Sequence, residues 1–254
     1  MIAWLANPEI EAARLLFASL RTASALAILP GIGAMLVPLR VRIGVGGAIG
    51  VFVLATVPIA VPLDLFSIPG LCAVAGEIVI GTIAGVMLQV AFAGAAIAGE
   101  VVAQSMGLGF ATILDPGGTT SPVIATLLGL VTWAVFFAVD GHLRLFEILV
   151  ESYRTLPPGS DPLALAARIA GFGTLAFASG VMLALPVAAV LLLVNLLLAV
   201  AARSAPQLNL FAIGFPVLMT AGIVALAVAM PAMTDAVAST IATVEDRLAG
   251  MLLG

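Results

Sequence analysis

Residues 68–99, IPGLCAVAGEIVIGTIAGVMLQVAFAGAAIAG, contain one charged side chain, Glu77, and are otherwise almost entirely apolar or small. As an α-helix rising about 1.5 Å per residue, this stretch would be about 48 Å long, whereas the hydrocarbon core of a bilayer is about 30 Å thick. A single helix of this length is too long for one ordinary membrane span.

Further apolar runs occur on both sides of this stretch, at residues 12–29, 43–63, 123–139, 163–201 and 210–231. The run 163–201 would measure about 58 Å as one helix, and Pro186 is expected to kink or divide it. The sequence thus predicts an all-α, integral-membrane-type protein of about six to eight long, kinked helices and helical hairpins.

The composition supports this class, because 63% of the 254 residues are hydrophobic and 9% are charged. All nine basic residues are Arg, without a basic patch, so we expect no nucleic-acid partner. Cys72 and His142 are the single cysteine and histidine, which excludes an intrachain disulfide and a Cys/His metal cluster. No nucleotide-binding or catalytic motif occurs, so we expect no cofactor, no metal and no enzymatic activity.

Signals for membrane orientation are weak. For six spans, the loops on the two sides carry nearly equal numbers of Arg, which gives no clear positive-inside bias. We therefore expect the helices to contact mainly protein partners. The N-terminus has no basic region before its apolar part, so a cleavable signal peptide is not expected.

Two pairs of glycines have the small-xxx-small spacing of close helix contacts, Gly46 with Gly50 and Gly81 with Gly85. Glu77 lies on the same helix stripe as Gly81 and Gly85, which places its carboxylate on a face that approaches another helix. A structural partner for Glu77 and a role in ion transport are both compatible with this position.

Arg14 and Arg21 are seven residues apart and share one face of the first helix. An Arg at the centre of a membrane helix costs about 2.5–3.5 kcal/mol, so such side chains should face protein or water. The alternatives are snorkelling to the headgroups, pairing of Arg14 with Glu11, or a contact with another subunit.

Residues 140–162 form the most polar segment and are predicted to contain an amphipathic helix that ends at Pro157. Its apolar positions are Leu143, Phe146, Ile148, Leu149 and Tyr153. Asp140 and His142 at its start invite a catalytic interpretation, but a cap or an interface hydrogen bond explains them without a motif.

Three blocks of sequence together resemble a known family. They are RTASALAILPGIGAMLVPLRVRIGVGGAIGVFVLATVP (21–58), QSMGLGFATILDPGGTTSPV (104–123) followed by DGHLRLFEILVESYRTLPPG (140–159), and LALPVAAVLLLVNLLLAVAARSAPQLNLFAIGFPV (183–217). In this order they resemble the FliR/SctT family of type III secretion export-gate proteins, in its flagellar form. The tail 232–254 contains no motif that matches.

The resemblance implies an export-gate subunit assembled with homologous partner subunits around a pore. The implied partners are FliP-like and FliQ-like subunits, FlhB-like and FlhA-like components, unfolded export substrates and membrane lipid. The implied location is the flagellar basal body in the bacterial inner membrane, largely on the periplasmic side of the membrane plane. Residues 1–160 would be the FliP-like part and residues 161–254 the FliQ-like part.

The resemblance also assigns residues 107–122 as the plug loop that helps to close the pore. The proposed plug residues are Gly107, Leu108, Gly109, Phe110, Ala111, Thr112, Ile113, Leu114, Asp115, Pro116, Gly117 and Gly118. Glycines give this segment backbone freedom, and its apolar side chains suit a water-poor constriction. The expected subunit-interface or buried polar residues are Arg21, Glu77, Glu100, His142, Asn195, Pro206, Gln207 and Asn209.

Three functional hypotheses follow. The first is a non-enzymatic gate subunit of the flagellar export apparatus, with an injectisome gate subunit as its alternative. The second is an autonomous membrane transporter that uses Arg21 and Glu77 as coupling charges. The third is an intramembrane enzyme that uses Asp115, Asp140 or His142.

Overall fold

A computed structural model of the chain describes residues 8–29, 38–59, 67–109, 123–161, 165, 169–204 and 210–254. Within these residues it contains seven α-helices, one 3₁₀ turn and no β-strand, as the sequence predicted. The helices are α1 (Pro8–Ile28), α2 (Leu39–Thr56), α3 (Ile68–Ser105), α4 (Val123–Ala138), α5 (Gly141–Thr155), α6 (Phe172–Ser204) and α7 (Leu210–Leu252).

Helix α2 ends at Thr56, seven residues before the end of the apolar run 43–63, because Pro58 follows Val57. The backbone of Val57 is extended, with φ −126° and ψ 126°, which is the conformation that a following proline imposes. By contrast, Pro186 lies inside α6 and does not divide it. Prolines within apolar helices are tolerated where neighbouring groups satisfy the freed backbone carbonyls.

Helix α7 extends beyond the predicted run 210–231, since it passes through Pro231 and ends at Leu252. The tail 232–254, which matched no motif, is therefore mostly helical. Its buried side chains recur every three or four residues, as on one face of a helix: Val237, Ile241, Val244, Leu248 and Met251.

Three of these helices are long and apolar enough to cross a membrane: α3, α6 and the part of α7 from Ile213 to Leu252. The number rises to four if α4 and α5 together form one broken span. The chain is thus a helical membrane protein by length and composition.

The chain divides into two compact units. The first comprises Met1–Val90, Asp140–Gly173 and Ala242–Gly254. Part of its core is a cluster of Ala18, Val53, Val57, Ile59 and Tyr153. This core brings together α1, α2 and α5, which are distant in the sequence.

The second unit comprises Ala91–Val139 and Thr174–Ile241. Phe92 of α3 packs on two aromatic rings of α4, with centroid distances of 4.8 Å to Trp133 and 6.1 Å to Phe136. The division into parts 1–160 and 161–254 concerns likeness to partner families and stays a prediction.

Candidate functional site: a buried ion pair between helices

The most constrained polar group of the first unit is the pair formed by Arg21 of α1 and Glu77 of α3. The Arg21 Nε donates to Glu77 Oε2 at 2.8 Å and its Nη2 donates to Glu77 Oε1 at 2.9 Å. Both side chains are at most 1% exposed. Two parallel, charge-assisted hydrogen bonds of this kind fix both distance and orientation, so the pair joins α1 to α3 in one geometry.

The same guanidinium also holds the end of α5. Its Nη1 donates to Ser152 Oγ at 2.8 Å, and its Nη2 donates to the carbonyl oxygen of Leu156 at 2.7 Å. Leu156 is the C-cap residue of α5, where carbonyl groups lack a partner within the helix. Arg21 therefore satisfies one of these carbonyls while it pairs with Glu77.

Tyr153 covers the guanidinium from the side. Its ring centroid lies 4.0 Å from Arg21 Cζ, within the range of a cation–π contact. Its hydroxyl donates back to the carbonyl oxygen of Ala18 at 2.9 Å. We name the group formed by Arg21, Glu77, Ser152, Tyr153 and the Leu156 carbonyl the Arg21 cluster.

Whether the buried ion pair stabilises the fold depends on whether all of its donors and acceptors have partners. Moving a charge out of water costs several kcal/mol, which a well-formed pair offsets only when its remaining donors and acceptors are also satisfied. In the Arg21 cluster every guanidinium nitrogen donates to an oxygen. The arrangement is suited to fixing three helices, and it leaves no charge exposed to a transported ion.

Glycines allow the helices to approach closely enough for this pairing. A Cβ atom on Gly81 would overlap the carbonyl oxygen of Arg21, and one on Gly85 would lie 2.7 Å from that of Ala25. On α2, a Cβ on Gly46 would lie 2.8 Å from Ala23 Cβ. The two predicted glycine pairs thus mark close crossings of α1 with α3 and with α2.

Replacing Gly81 with Ala is expected to lower the stability of the protein by about 1–3 kcal/mol, because the added methyl forces α1 and α3 apart. The matched control is Gly44→Ala on α2, where a Cβ meets nothing within 4 Å. That control should be neutral or stabilising by about 0.5–1 kcal/mol, the helical preference for Ala over Gly. Thermal unfolding in detergent measures both, and equal effects would contradict a close crossing at Gly81.

Other predicted polar residues lie apart from the Arg21 cluster. Glu100 is exposed and accepts a hydrogen bond from Gln104 Nε2 at 2.9 Å. Asn195 of α6 donates from Nδ2 to the carbonyl oxygens of Leu191 at 3.0 Å and Ser105 at 3.4 Å. Asn195 therefore connects α6 to the end of α3 within the second unit.

Arg14 has the predicted partner within its own helix. Its Nη1 lies 3.0 Å from Glu11 Oε1, and its Nε donates to the carbonyl oxygen of Ile59 at 3.3 Å. The side chain is 30% exposed. Although Arg14 and Arg21 share one face of α1, only Arg21 is enclosed by other helices.

Asp140 and His142 flank the start of α5. Asp140 is the N-cap residue with a left-handed backbone (φ 56°), but its side chain makes no capping hydrogen bond. His142 is half-buried on the first turn. The described residues contain no group of three or more His, Cys, Asp or Glu side chains that could hold a metal ion.

Of residues 107–122, the predicted plug loop, the structure describes Gly107, Leu108 and Gly109. Gly107 has φ +81°, and the N–H of Leu108 donates to the carbonyl oxygen of Ala103 at 3.0 Å. This is the Schellman arrangement that ends helices at a glycine, and it ends α3 just before the loop. Phe110–Gly118 and the predicted interface residues Pro206, Gln207 and Asn209 lie outside the described residues.

Sequence reasoning missed two partners of Arg21, the Ser152 hydroxyl and the Leu156 carbonyl. Ser152 follows Ile148 and Leu149 on the buried face of α5, where it is fully buried. The sequence did contain a signal for Ser152, because a hydroxyl on the apolar face of an amphipathic helix indicates a buried polar partner. The backbone carbonyl carries no such signal, because any residue supplies one.

Comparison with known proteins gives consistent results. The family model described as "Bacterial export proteins, family 1" matches residues 12–244. The chain is 38% identical over 216 residues to the "Flagellar biosynthetic protein FliR" of Pectobacterium carotovorum subsp. carotovorum, covering 84% of this chain and 82% of the relative. It is 38% identical over 215 residues to that of Escherichia coli strain K12, with the same coverage. For Aquifex aeolicus strain VF5 the identity is 31% over 223 residues, covering 87% and 86%.

Proposed function

The chain belongs to the bacterial export proteins, family 1, and we propose that it is a structural and gating subunit of the flagellar type III protein export apparatus. The observation that carries the proposal is its likeness to proteins named flagellar biosynthetic protein FliR over more than four fifths of both chains. The flagellar names of these relatives favour a flagellar role over an injectisome role.

The structural part of the role rests on the Arg21 cluster. A subunit that lines a path for other proteins needs a frame that keeps its shape while a substrate passes. The paired charges of Arg21 and Glu77 are fully enclosed and hold α1, α3 and α5 together. A transporter with Arg21 and Glu77 as coupling charges would need one of them to exchange partners, and this closed geometry opposes such exchange. The role we propose is non-enzymatic.

Exposed apolar surface supports assembly with other subunits. Long side chains on α6 are largely exposed in the single chain, among them Met182 at 76%, Leu192 at 69% and Leu197 at 68%. Exposed patches of this kind in membrane helices face lipid or neighbouring helices. We propose FliP-like and FliQ-like subunits as neighbours, with FlhB-like and FlhA-like components bound to the assembly in the basal body of the inner membrane. In this proposal the assembly lies largely on the periplasmic side of the membrane plane.

The gating part of the role is assigned to the plug loop, residues 107–122. The Gly107 cap stops α3 before the loop, so that the following residues need not continue the helix. We propose that Phe110, Ile113 and Leu114 seal the pore between export events and move aside for an unfolded substrate. Asp115, within the turn sequence DPGG, would set the turn or bind a partner.

Native mass spectrometry of the protein extracted in mild detergent tests the proposed assembly. We expect the chain to leave the membrane in complex with FliP-like and FliQ-like subunits and to be unstable when produced alone. Such partners should also stabilise the chain by mass action, so its melting temperature should rise when they are co-produced. A stable monomer or homodimer that contains no other subunit would contradict the proposal and favour a transporter.

A further inference from the structure

A groove of about 630 Å³ runs between α2 and α5 on the first unit. Its lining positions follow the spacing i, i+3, i+4 and i+7 on both helices, from Val45 to Phe52 and from Leu143 to Val150. One face of each helix therefore forms one wall. At about 1.5 Å per residue each wall is about 10 Å long, which is the length of about two helical turns.

The groove has a packed floor and one closed end. Ile49 and Val150 at its base pack against the buried cluster of the first unit that contains Val53. At one end, Arg154 of α5 donates from Nη2 to the carbonyl oxygen of Thr56 on α2 at 3.5 Å. The shape of the groove is thus set by contacts within the chain and does not require an occupant.

The α2 wall of the groove is apolar and exposed. It consists of Val45, Ala48, Ile49 and Phe52, of which Val45 is 42% and Phe52 58% exposed. On the opposite wall, Leu143 is 56% exposed. Adjacent exposed apolar side chains of this kind mark a surface that another molecule covers.

The charged groups among the described lining residues are two carboxylates, Glu147 and Glu151, one turn apart on the α5 wall. Each is paired along its own helix through Oε2, Glu147 with Arg144 at 2.9 Å and Glu151 with Arg154 at 2.8 Å. These pairs use one oxygen of each carboxylate, so Oε1 is available to a further donor. Exposed pairs of this spacing also contribute little to stability, which leaves the acids available to a partner.

Charge identifies the kind of molecule that fits the groove. The exposed side of α5 carries four charged side chains, and such side chains are expensive within lipid hydrocarbon. An acyl chain would also leave both Oε1 atoms without a donor. A groove two turns long with acids along one edge instead fits an amphipathic helix, whose apolar side enters the groove while basic side chains meet the acids.

The sequence of this chain excludes a second copy as the source of that helix. A helix that meets both Glu147 and Glu151 needs two basic residues three or four positions apart. The chain contains no Lys, and no two of its Arg residues have that spacing. They are Arg14, Arg21, Arg40, Arg42, Arg144, Arg154, Arg168, Arg203 and Arg247.

We infer that the groove between α2 and α5 binds an amphipathic α-helix of a different protein subunit, with two Arg or Lys residues one turn apart facing Glu147 and Glu151. The inference rests on the proposed role within a multi-subunit complex. It adds to that role a docking surface on the first unit, separate from the exposed side of α6, and states the chemistry of the helix that occupies it.

The test places a photo-cross-linker in the groove of the full chain in its assembled complex. Phe52→p-benzoylphenylalanine keeps the aromatic ring at a lining position. After irradiation in cells, mass spectrometry of the purified adduct identifies the cross-linked segment. We expect a segment of another subunit with apolar residues at helical spacing and with Arg or Lys three or four positions apart. Adducts only to lipid, to a second copy, or to a segment without the basic pair would overturn the inference, as would an intact complex without any adduct.

Two double variants, each combined with the Phe52 cross-linker, separate recognition of charge from the stability of α5. Glu147→Gln with Glu151→Gln, and Arg144→Gln with Arg154→Gln, break the same two ion pairs. Only the first removes the carboxylates that line the groove. We expect the first to lower the cross-linked fraction about tenfold, which corresponds to about 1.4 kcal/mol of binding, and the second to leave it unchanged. Equal losses in both, or no loss in the first, would overturn the inference.

A second cross-linker keeps this test apart from the proposed export role. Phe177 of α6 is 64% exposed, and Phe177→p-benzoylphenylalanine reports the neighbours of the second unit. Its adducts should contain FliP-like or FliQ-like subunits and should not change when Glu147 and Glu151 are replaced. If they contain unrelated proteins, the export role fails while the Phe52 adduct still decides the groove. The Phe52 result with both acids present stands even if a charge variant fails to fold.

Discussion

Replacing Arg21 with Ala is expected to remove most of the folded protein from the membrane and to abolish flagellar export. The change leaves the Glu77 carboxylate buried without its partner, and it removes the donor to the Leu156 carbonyl and to the Ser152 hydroxyl oxygen. Breaking a buried pair in this way costs about 3–5 kcal/mol. The free energy of unfolding of a typical protein is about 5–15 kcal/mol, so the loss is a large fraction of the total.

The measurements are the amount of protein in membranes, the melting temperature of the extracted complex, and swimming in a strain that lacks its own copy. Arg14→Ala on the same helix is the matched control. Arg14 pairs with Glu11 one turn away and is partly exposed, so its removal should cost about 0–1 kcal/mol. Wild-type amounts and melting temperature for Arg21→Ala would contradict a structural role for the Arg21 cluster.

A double variant separates a structural pair from a transporting one. Glu77→Leu alone should lower the stability as much as Arg21→Ala, because it leaves the buried Arg21 guanidinium without its carboxylate partner. Replacing both residues, as Arg21→Met with Glu77→Leu, removes both buried charges, and such exchanges are often neutral or stabilising by about 1–4 kcal/mol. The Leu156 carbonyl still loses its donor, which costs about 1–3 kcal/mol. We therefore expect the double variant to be clearly more stable than either single variant and to regain export with that stability. If stability returns without export, the charges themselves act in transport.

The helices of this protein were predictable because their cause is local. Long apolar runs give long helices, although the run 43–63 extends past the end of α2, which Val57 before Pro58 sets. The apolar run 210–231 covers only the first part of α7, which continues to Leu252. Beyond the run, Val237, Ile241, Val244 and the buried residues that follow keep the spacing of one helix face.

The pairing within the Arg21 cluster had no such local cause. Arg21 and Glu77 were each identified as buried polar residues, but they are 56 positions apart in the sequence. Their contact depends on how α1 crosses α3, and that crossing depends on the missing side chain of Gly81. Glycine spacing indicated that a close contact was available, while the identity of the helix that uses it is a property of the tertiary fold.

Exchanging the apolar side chains of the proposed plug loop for Ser is expected to open the proposed pore to small ions. The triple variant Phe110→Ser, Ile113→Ser and Leu114→Ser keeps the loop length and leaves the Gly107 cap of α3 intact. Hydrophobic constrictions exclude water and ions by dewetting, and polar side chains remove that barrier. Lowering the barrier by about 1.4 kcal/mol raises the flux about tenfold, so we expect at least that increase in leakage across the inner membrane.

The interpretation of the leakage measurement requires a control variant and a check that the complex is fully assembled. Thr119→Ser and Thr120→Ser change two residues of the same loop without changing its apolar bulk, and they should not leak. Native mass spectrometry of the triple variant must recover the complete complex, because leakage through a partly assembled complex would have another origin. With the complex intact, wild-type leakage in the triple variant would show that these side chains do not seal the pore. Leakage in the triple variant alone would assign the seal to the apolar residues that follow the Gly107 cap.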